Sequence, residues 1–215
     1  MDMRRPGRLL FLALVGWAGC KNNYFSPPKA ESSSASNVTT PNLPGAPAVP
    51  PRSVLRPYLQ TTLGGIEAGR AAGTAFSVKV NKDTDPVVLT ALSLLGAESG
   101  FSRRPDPTEL NEIHQSITLG DAFGAFDGVL EAENFIEIPE AGYRDRDSLA
   151  GDILVLKMPR TSRVSYFHLS VAEPAIGEKV WLSAALFRGA PPSQLQHEAI
   201  VCPTSELDEL CYRFT

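Results

Sequence analysis

The sequence contains few of the residues that build metal centres. Among its 215 residues are only three cysteines and three histidines, and the histidines show no ligand spacing with the cysteines. No basic cluster is interleaved with aromatic residues, and the net charge of −4 does not favour binding to a polyanion. Internal repeats and helical heptads are also absent. These absences predict a protein with no metal, no other cofactor and no nucleic-acid partner.

The sequence also has no apolar run long enough to span a membrane, and its N-terminal apolar run is short. Residues 9–17 follow three arginines and are too few to cross a bilayer as a helix. The run leads into Ala18-Gly19-Cys20, which resembles a bacterial lipobox, although Trp17 stands where leucine is usual. The resemblance implies a signal peptide over residues 1–20 and lipidation at Cys20. It predicts export and a membrane partner through the lipid anchor, at the outer membrane or periplasmic face if there are two membranes. Plain secretion and a retained membrane anchor are the alternatives.

Two compositional regions follow the signal. Residues 21–52 are rich in serine and proline and have almost no large apolar residues, which predicts a disordered tether. Residues 53–215 have the composition of a folded domain. A domain of this length is large enough to bury a hydrophobic core.

Short alternating apolar runs, separated by glycines and prolines, predict an all-β domain in this second region. The chain has 17 glycines and 18 prolines, which favours strands and turns over long helices. Segment 54–71 stays ambiguous, since Pro57 and the glycines of this segment interrupt any helix. The predicted strands are 76–80, 87–91, 117–119, 123–130, 135–138, 153–158, 180–186, 197–201 and 210–214. About eight to ten such strands indicate a barrel or a sandwich.

The two remaining cysteines, Cys202 and Cys211, are separated by eight residues. An exported compartment permits a disulfide between them. The other interpretation is that they are two small apolar residues on neighbouring strands.

Residues 73–96 carry the most informative motif, GTAFSVKVNKDTDPVVLTALSLLG. A Gly-Thr-x-Phe strand followed by a strand ending in Leu-Thr-Ala-x-His resembles the first half of a trypsin-like serine peptidase. The histidine is the general base in that family. Here Ser93 occupies the histidine position, two residues after Ala91. A serine hydroxyl cannot accept a proton near neutral pH, whereas an imidazole can.

The resemblance extends to the C-terminal part of the chain. Asp152 in GDILVL matches the triad aspartate that orients the imidazole, and the alternative is an ordinary turn residue before a strand. Segment 177–182, GEKVWL, resembles the opening strand of the family's second barrel. No Gly-x-Ser-Gly follows Asp152, and the sequence ends at Thr215, about where the nucleophile loop would begin. The resemblance therefore implies a trypsin-like double β-barrel with a complete first barrel and, from about residue 175, a truncated second one.

Three functions are compatible with these features. The first is a catalytically inactive peptidase homologue that binds peptide or protein segments by strand addition. The second is a truncated or misread form of an active serine endopeptidase. The third is an envelope lipoprotein with an unrelated structural β-domain.

Overall fold

The structure is a computed structural model, and it describes only part of the chain. The described residues are 45–67, 73–122, 130–139, 141–143, 151–162, 164–170, 172–183, 196–203 and 211–214. The predicted signal peptide with its lipidation site Cys20, and the predicted tether up to residue 44, lie outside the described residues.

The described chain is mostly β, which confirms the predicted all-β class. One short helix, α1 (Leu110–Ile113), follows a 3-10 turn at Pro107–Glu109, and further 3-10 turns lie at Leu92–Leu94 and Ala97–Ser99. The strands are β1 (Val54–Thr61), β2 (Gly64–Ile66), β3 (Ala75–Lys79), β4 (Val87–Thr90), β5 (His114–Asp121), β6 (Leu130–Glu131), β7 (Asn134–Ile136), β8 (Leu154–Lys157), β9 (Phe167–His168), β10 (Lys179–Ser183), β11 (Gln196–Cys202) and β12 (Cys211–Phe214).

The strands form two sheets. The larger sheet has the order β6-β5-β1-β3-β4-β8-β7, with β2 paired to β1 and β9 paired to β3. Its pairs are antiparallel except for β3 with β9. The smaller sheet is antiparallel, with the order β10-β11-β12.

The larger sheet curls into a half-barrel. Its two end strands, β6 and β7, are consecutive in the chain and separated by only two residues. The two linking residues are hydrogen-bonded to different strands of the sheet. The Ala132 N–H donates to the Ile117 carbonyl of β5 at 2.9 Å, and the Glu133 N–H donates to the Lys157 carbonyl of β8 at 2.8 Å. A short link between the two ends of a seven-strand path requires the path to curve round on itself.

Curvature gives the sheet an inner and an outer face, and both carry apolar side chains. Alternate residues along a strand point to opposite faces. In β8, Leu154 and Leu156 face the inner core with Leu55 of β1, whereas Val155 packs in a smaller outer cluster with Val78 and Leu89. Burial on both faces explains why residues 153–158 form a nearly continuous apolar run.

Strand β1 lies in the segment that the sequence left ambiguous. Pro57 has no N–H and is disfavoured inside a sheet. Its cost is small here, because β1 pairs with β3 only at Val54 and Leu55, so Pro57 is paired on the β5 side alone, opposite Leu119. Tertiary pairing therefore decides a strand that local signals disfavour.

Residues at the C-terminal end of the predicted tether contact the smaller sheet. Gln196 of β11 is only 2% exposed, and its side-chain amide donates to the Pro47 carbonyl at 3.4 Å. Nearby, the Ser53 hydroxyl donates to the Pro50 carbonyl at 2.6 Å. The Gln196–Pro47 bond connects the chain just before β1 with the smaller sheet, whereas the Ser53–Pro50 bond is local.

Replacing Ser77 by alanine should stabilise the protein. Ser77 is fully buried and its hydroxyl has no hydrogen-bond partner, so the native state carries a desolvation cost that alanine removes. We expect the free energy of unfolding to rise by about 1 kcal/mol in urea titrations followed by circular dichroism. Ser53 is the matched control, because it is equally buried but hydrogen-bonded. Ser53→Ala should cost about 1 kcal/mol, and a loss of stability in both variants would contradict the prediction.

Candidate functional site

Strand pairing brings together the two residues that the sequence singled out. Strands β4 and β8 are antiparallel, with Thr90 opposite Leu154. Ser93 comes three residues after Thr90, and Asp152 comes two residues before Leu154. The end of one strand therefore meets the start of the other, and residues 59 positions apart in the chain become neighbours.

The contact between them is a short, partly buried hydrogen bond. The backbone N–H of Ser93 donates to Oδ1 of Asp152 at 2.7 Å. Asp152 is only 8% exposed, so this bond partly compensates the cost of placing a carboxylate away from water. Asp152 is thus more than a solvated turn residue, because its carboxylate accepts a hydrogen bond from the backbone of Ser93.

Ser93 itself is held by a tight turn. It lies in the 3-10 turn Leu92–Leu94, which is separated from the end of β4 by Ala91 alone. Leu92 is fully buried in the inner core, and the Leu95 N–H donates to its carbonyl at 3.0 Å. Ser93 remains half-buried at the edge of this anchored turn.

The two halves of the peptidase-like motif are also in contact. Phe76 of β3 lies opposite Leu89 of β4 in the ladder. Thr90 is 4% exposed, and its hydroxyl donates to the Thr74 carbonyl at 2.9 Å. The Gly73–Phe76 segment therefore connects directly with the strand that leads to Ser93. The sequence motif includes Thr90 but predicts no hydrogen-bond partner for it. A hydroxyl in an otherwise apolar strand is the signal that such a partner is required.

Gly151, the residue immediately before Asp152, is connected by hydrogen bonds through Gly142 and Tyr143 to the loop that contains Pro105. The Gly142 N–H donates to the Gly151 carbonyl at 2.9 Å. Next to Gly142, the Tyr143 hydroxyl donates to the Pro105 carbonyl at 2.5 Å, and Arg104 lies over the Tyr143 ring at 5.3 Å. Burial raises the pKa of Tyr143 to about 12, so this hydroxyl stays a donor throughout the neutral range.

The loop that holds Tyr143 is internally bonded. Arg103 forms a two-point ion pair with Glu109, and this hydrogen-bonded pair holds the pKa of the Glu109 carboxyl below its usual range. Asp106 and Glu109 form a capping box at the 3-10 turn. Hydrogen bonds from Thr108 likewise lower the pKa of Asp106. The loop is therefore a preformed support for the Asp152 side of the site.

The histidines lie elsewhere. His114 Nδ1 is 3.0 Å from the Asn111 carbonyl oxygen, and its ring packs edge-on to Phe135. His168 lies on β9 and its ring packs edge-on to Tyr166, and His197 lies on β11. In the described ranges, neither Ser93 nor Asp152 has a histidine partner. Among the described residues, the site therefore pairs the Asp152 carboxylate with the backbone amide of Ser93 and with no imidazole.

The other predicted site residues are the three cysteines. Cys202 on β11 is a half-buried free thiol, and the backbone of Cys211 lies on the neighbouring strand β12. Cys20 is outside the described residues. Across the described ranges, no group of three or more His, Cys, Asp or Glu side chains is arranged to hold a metal ion. Among those same residues, no helix has the length and apolarity needed to cross a membrane.

Comparisons with protein-family models, with curated proteins and with solved structures gave no match to this chain. The functional assignment therefore depends on the geometry of the site and on the motifs in the sequence.

Proposed function

We propose that this protein is an exported, lipid-anchored and non-catalytic relative of the trypsin-like serine peptidases, which binds extended peptide or protein segments. One observation carries the proposal. The Asp152 carboxylate holds the backbone of Ser93 at 2.7 Å, and Ser93 is the residue at the motif's general-base position.

The arrangement of the strands supports this assignment. The Gly-Thr-x-Phe strand β3 and the Leu-Thr-Ala strand β4 are neighbours, and the aspartate precedes β8 on the far side of β4. The Asp152 motif, 59 positions after Ser93, is therefore adjacent to the other two motifs in the half-barrel, in the order that the family resemblance implies. In this proposal the half-barrel is the first barrel of a double β-barrel, and the β10-β11-β12 sheet belongs to the second.

The chemistry of the site supports the loss of catalysis. In a serine peptidase the aspartate orients an imidazole, which takes the proton from the nucleophile. Among the described residues, the hydrogen-bond partner of Asp152 is the amide of Ser93, and a serine hydroxyl is not basic enough for proton transfer near neutral pH. Removing the base alone eliminates most of a triad's rate enhancement, so the inactivity does not depend on where a nucleophile would lie.

Strand addition is the proposed binding mode. Within the described ranges, β10 and β12 are the two edges of the smaller sheet, and each pairs only with β11. An edge strand presents a row of unpaired backbone donors and acceptors, which an extended peptide can satisfy.

Incubation with fluorescein-labelled casein and with a fluorophosphonate probe tests this function. We expect the casein to show increased anisotropy without cleavage, and we expect the probe to leave the protein unlabelled, because no base activates a serine. An active trypsin-like peptidase in the same buffer is the positive control. Casein fragments whose release stops with the probe would instead identify an active serine endopeptidase. Unchanged anisotropy would disprove the binding role.

A second variant tests the assignment of position 93. The Cβ of residue 93 lies within about 5 Å of Asp152 Oδ1, because it is two bonds from the hydrogen-bonded nitrogen. In Ser93→His, the carboxylate should raise the pKa of the new imidazole above the ordinary histidine value of about 6.5. The resulting stabilisation, about 1 kcal/mol, should be complete below pH 6.5 and lost as the pH rises through the raised pKa.

The imidazole pKa is measured by NMR titration of the one histidine signal that the wild type lacks. Adding Asp152→Asn as a second substitution removes the charge and should return the pKa to its ordinary value. The same pKa with and without the aspartate would show that Asp152 does not act on a side chain at this position.

The lipid anchor has an independent test. Metabolic labelling with an alkyne fatty acid should modify the full chain, and Cys20→Ala should abolish the label. A label that persists in Cys20→Ala would place the lipid elsewhere, and an unlabelled wild type would favour plain secretion.

A further inference from the structure

The register of the smaller sheet places two cysteines opposite one another. Strands β11 and β12 are antiparallel, and Cys202 is the direct partner of Cys211 in the ladder. Direct partners in an antiparallel pair have Cα atoms about 4.5–5.5 Å apart. Disulfides span Cα separations of about 4.4–6.8 Å, so the backbone already has the spacing that a bridge needs. A spacing of eight residues in the sequence does not by itself produce this pairing.

The environment of Cys202 leaves its thiol reachable. Ala199 and Val201 are buried on one face of β11, whereas Cys202 is half-buried, as Ile200 is. The Cys202 thiol is in the free form, 3.5 Å from the Ile200 carbonyl oxygen, which belongs to its own strand. A half-buried thiol is accessible to a small oxidant, unlike a thiol in a packed core.

We propose that Cys202 and Cys211 are oxidised to an intrachain disulfide that fastens strand β12 to strand β11. The oxidant is a disulfide, such as oxidised glutathione. One protein thiolate attacks it to form a mixed disulfide and releases one glutathione thiol. The second protein thiolate then attacks the sulfur of the first cysteine and releases the other. Two protein thiols and one glutathione disulfide thus become one protein disulfide and two glutathione thiols.

A covalent link has a large effect at this position because β12 is short. It has four residues and, within the described ranges, pairs with β11 alone. The disulfide would close a ring of residues 202–211. In the chain-entropy description, closing a ring of that size disfavours the open state by about 100-fold. This inference rests on the strand register and on the half-buried thiol of Cys202, and it is independent of the proposed peptidase relationship.

Peptide mapping of the full chain tests whether the bridge forms. The protein carries Cys20→Ser, so that only this pair remains, and it is equilibrated with glutathione buffer in excess oxidised form, alkylated and digested with trypsin. No lysine or arginine lies between the two cysteines, so one peptide, residues 189–213, contains both. It should escape alkylation and weigh two hydrogen atoms less than the reduced peptide. Glutamyl endopeptidase cuts at Glu206 and Glu209, and the fragments should stay joined until a reductant is added.

Hydrogen exchange tests whether the bridge fastens the strand. The β12 amides should exchange about 100-fold more slowly in the oxidised protein than in the reduced protein. Cys202→Ser and Cys211→Ser are matched controls, and neither should respond to the oxidant. Three results would overturn the proposal: full alkylation of both cysteines after equilibration, bridges found only between two chains, or a bridge that leaves exchange in β12 unchanged.

Discussion

Replacing Gly64 by alanine is expected to destabilise the half-barrel by about 3 kcal/mol or more. Gly64 begins β2 with a φ of +100°, a region that side chains strongly disfavour. A Cβ at this position would overlap the backbone carbonyl oxygen of Gly100. That backbone cannot easily move away, since the Ser102 N–H donates to the Leu63 carbonyl at 2.8 Å and holds the two segments together. Urea unfolding followed by circular dichroism measures the loss.

Gly177→Ala is the matched control for this variant. Gly177 also has a left-handed φ, +87°, but beyond its chain neighbours no atom of the described residues lies within 4 Å of the place that a Cβ would take. It should therefore show backbone strain alone, about 1 kcal/mol. Similar losses in the two variants would mean that the close approach of Gly100 contributes nothing to the cost at Gly64.

Replacing Asp152 by alanine should cost about 2–3 kcal/mol of folding free energy. The substitution removes a charged acceptor and leaves the partly buried N–H of Ser93 unpaired. The 3-10 turn Leu92–Leu94 then loses its hydrogen bond to the segment that leads into β8. Thermal and urea unfolding of the purified variant give the value.

Two further variants separate the causes of that loss. Asp152→Asn keeps an acceptor oxygen without the charge and should recover about half of the loss. Asp85→Ala removes a carboxylate whose partner, Arg160, is 88% exposed at its side chain, and such surface pairs contribute about 0–1 kcal/mol. If Asp152→Ala proves as mild as Asp85→Ala, the hydrogen bond to Ser93 does not stabilise the fold.

These two predictions concern different parts of one architecture. Gly64 allows the β1–β2 hairpin to pack against the turn that follows Ser93, at Gly100 and Phe101. Asp152 holds the same region from the β8 side. The candidate site therefore depends on close backbone contacts as much as on its own side chains.

Much of the all-β fold could be predicted from local pattern. The alternation of Phe76 and Val78 and the apolar run at 153–158 mark β3 and β8 because strand periodicity is a property of neighbouring residues. Strand β1 could not be predicted in this way. Pro57 argues against a strand locally, and only the one-sided pairing with β5 makes the strand acceptable.

The candidate site, too, could be predicted from the sequence only in part. By itself, the sequence determined that the chain has a strand-forming composition, a serine two residues after Leu-Thr-Ala, and an aspartate before an apolar run. Only the tertiary structure decided that Ser93 and Asp152 share a 2.7 Å hydrogen bond and that Cys202 lies opposite Cys211. The reason is physical: alternation and turn chemistry act over a few residues, whereas contacts between distant segments depend on which strands pair and in what register.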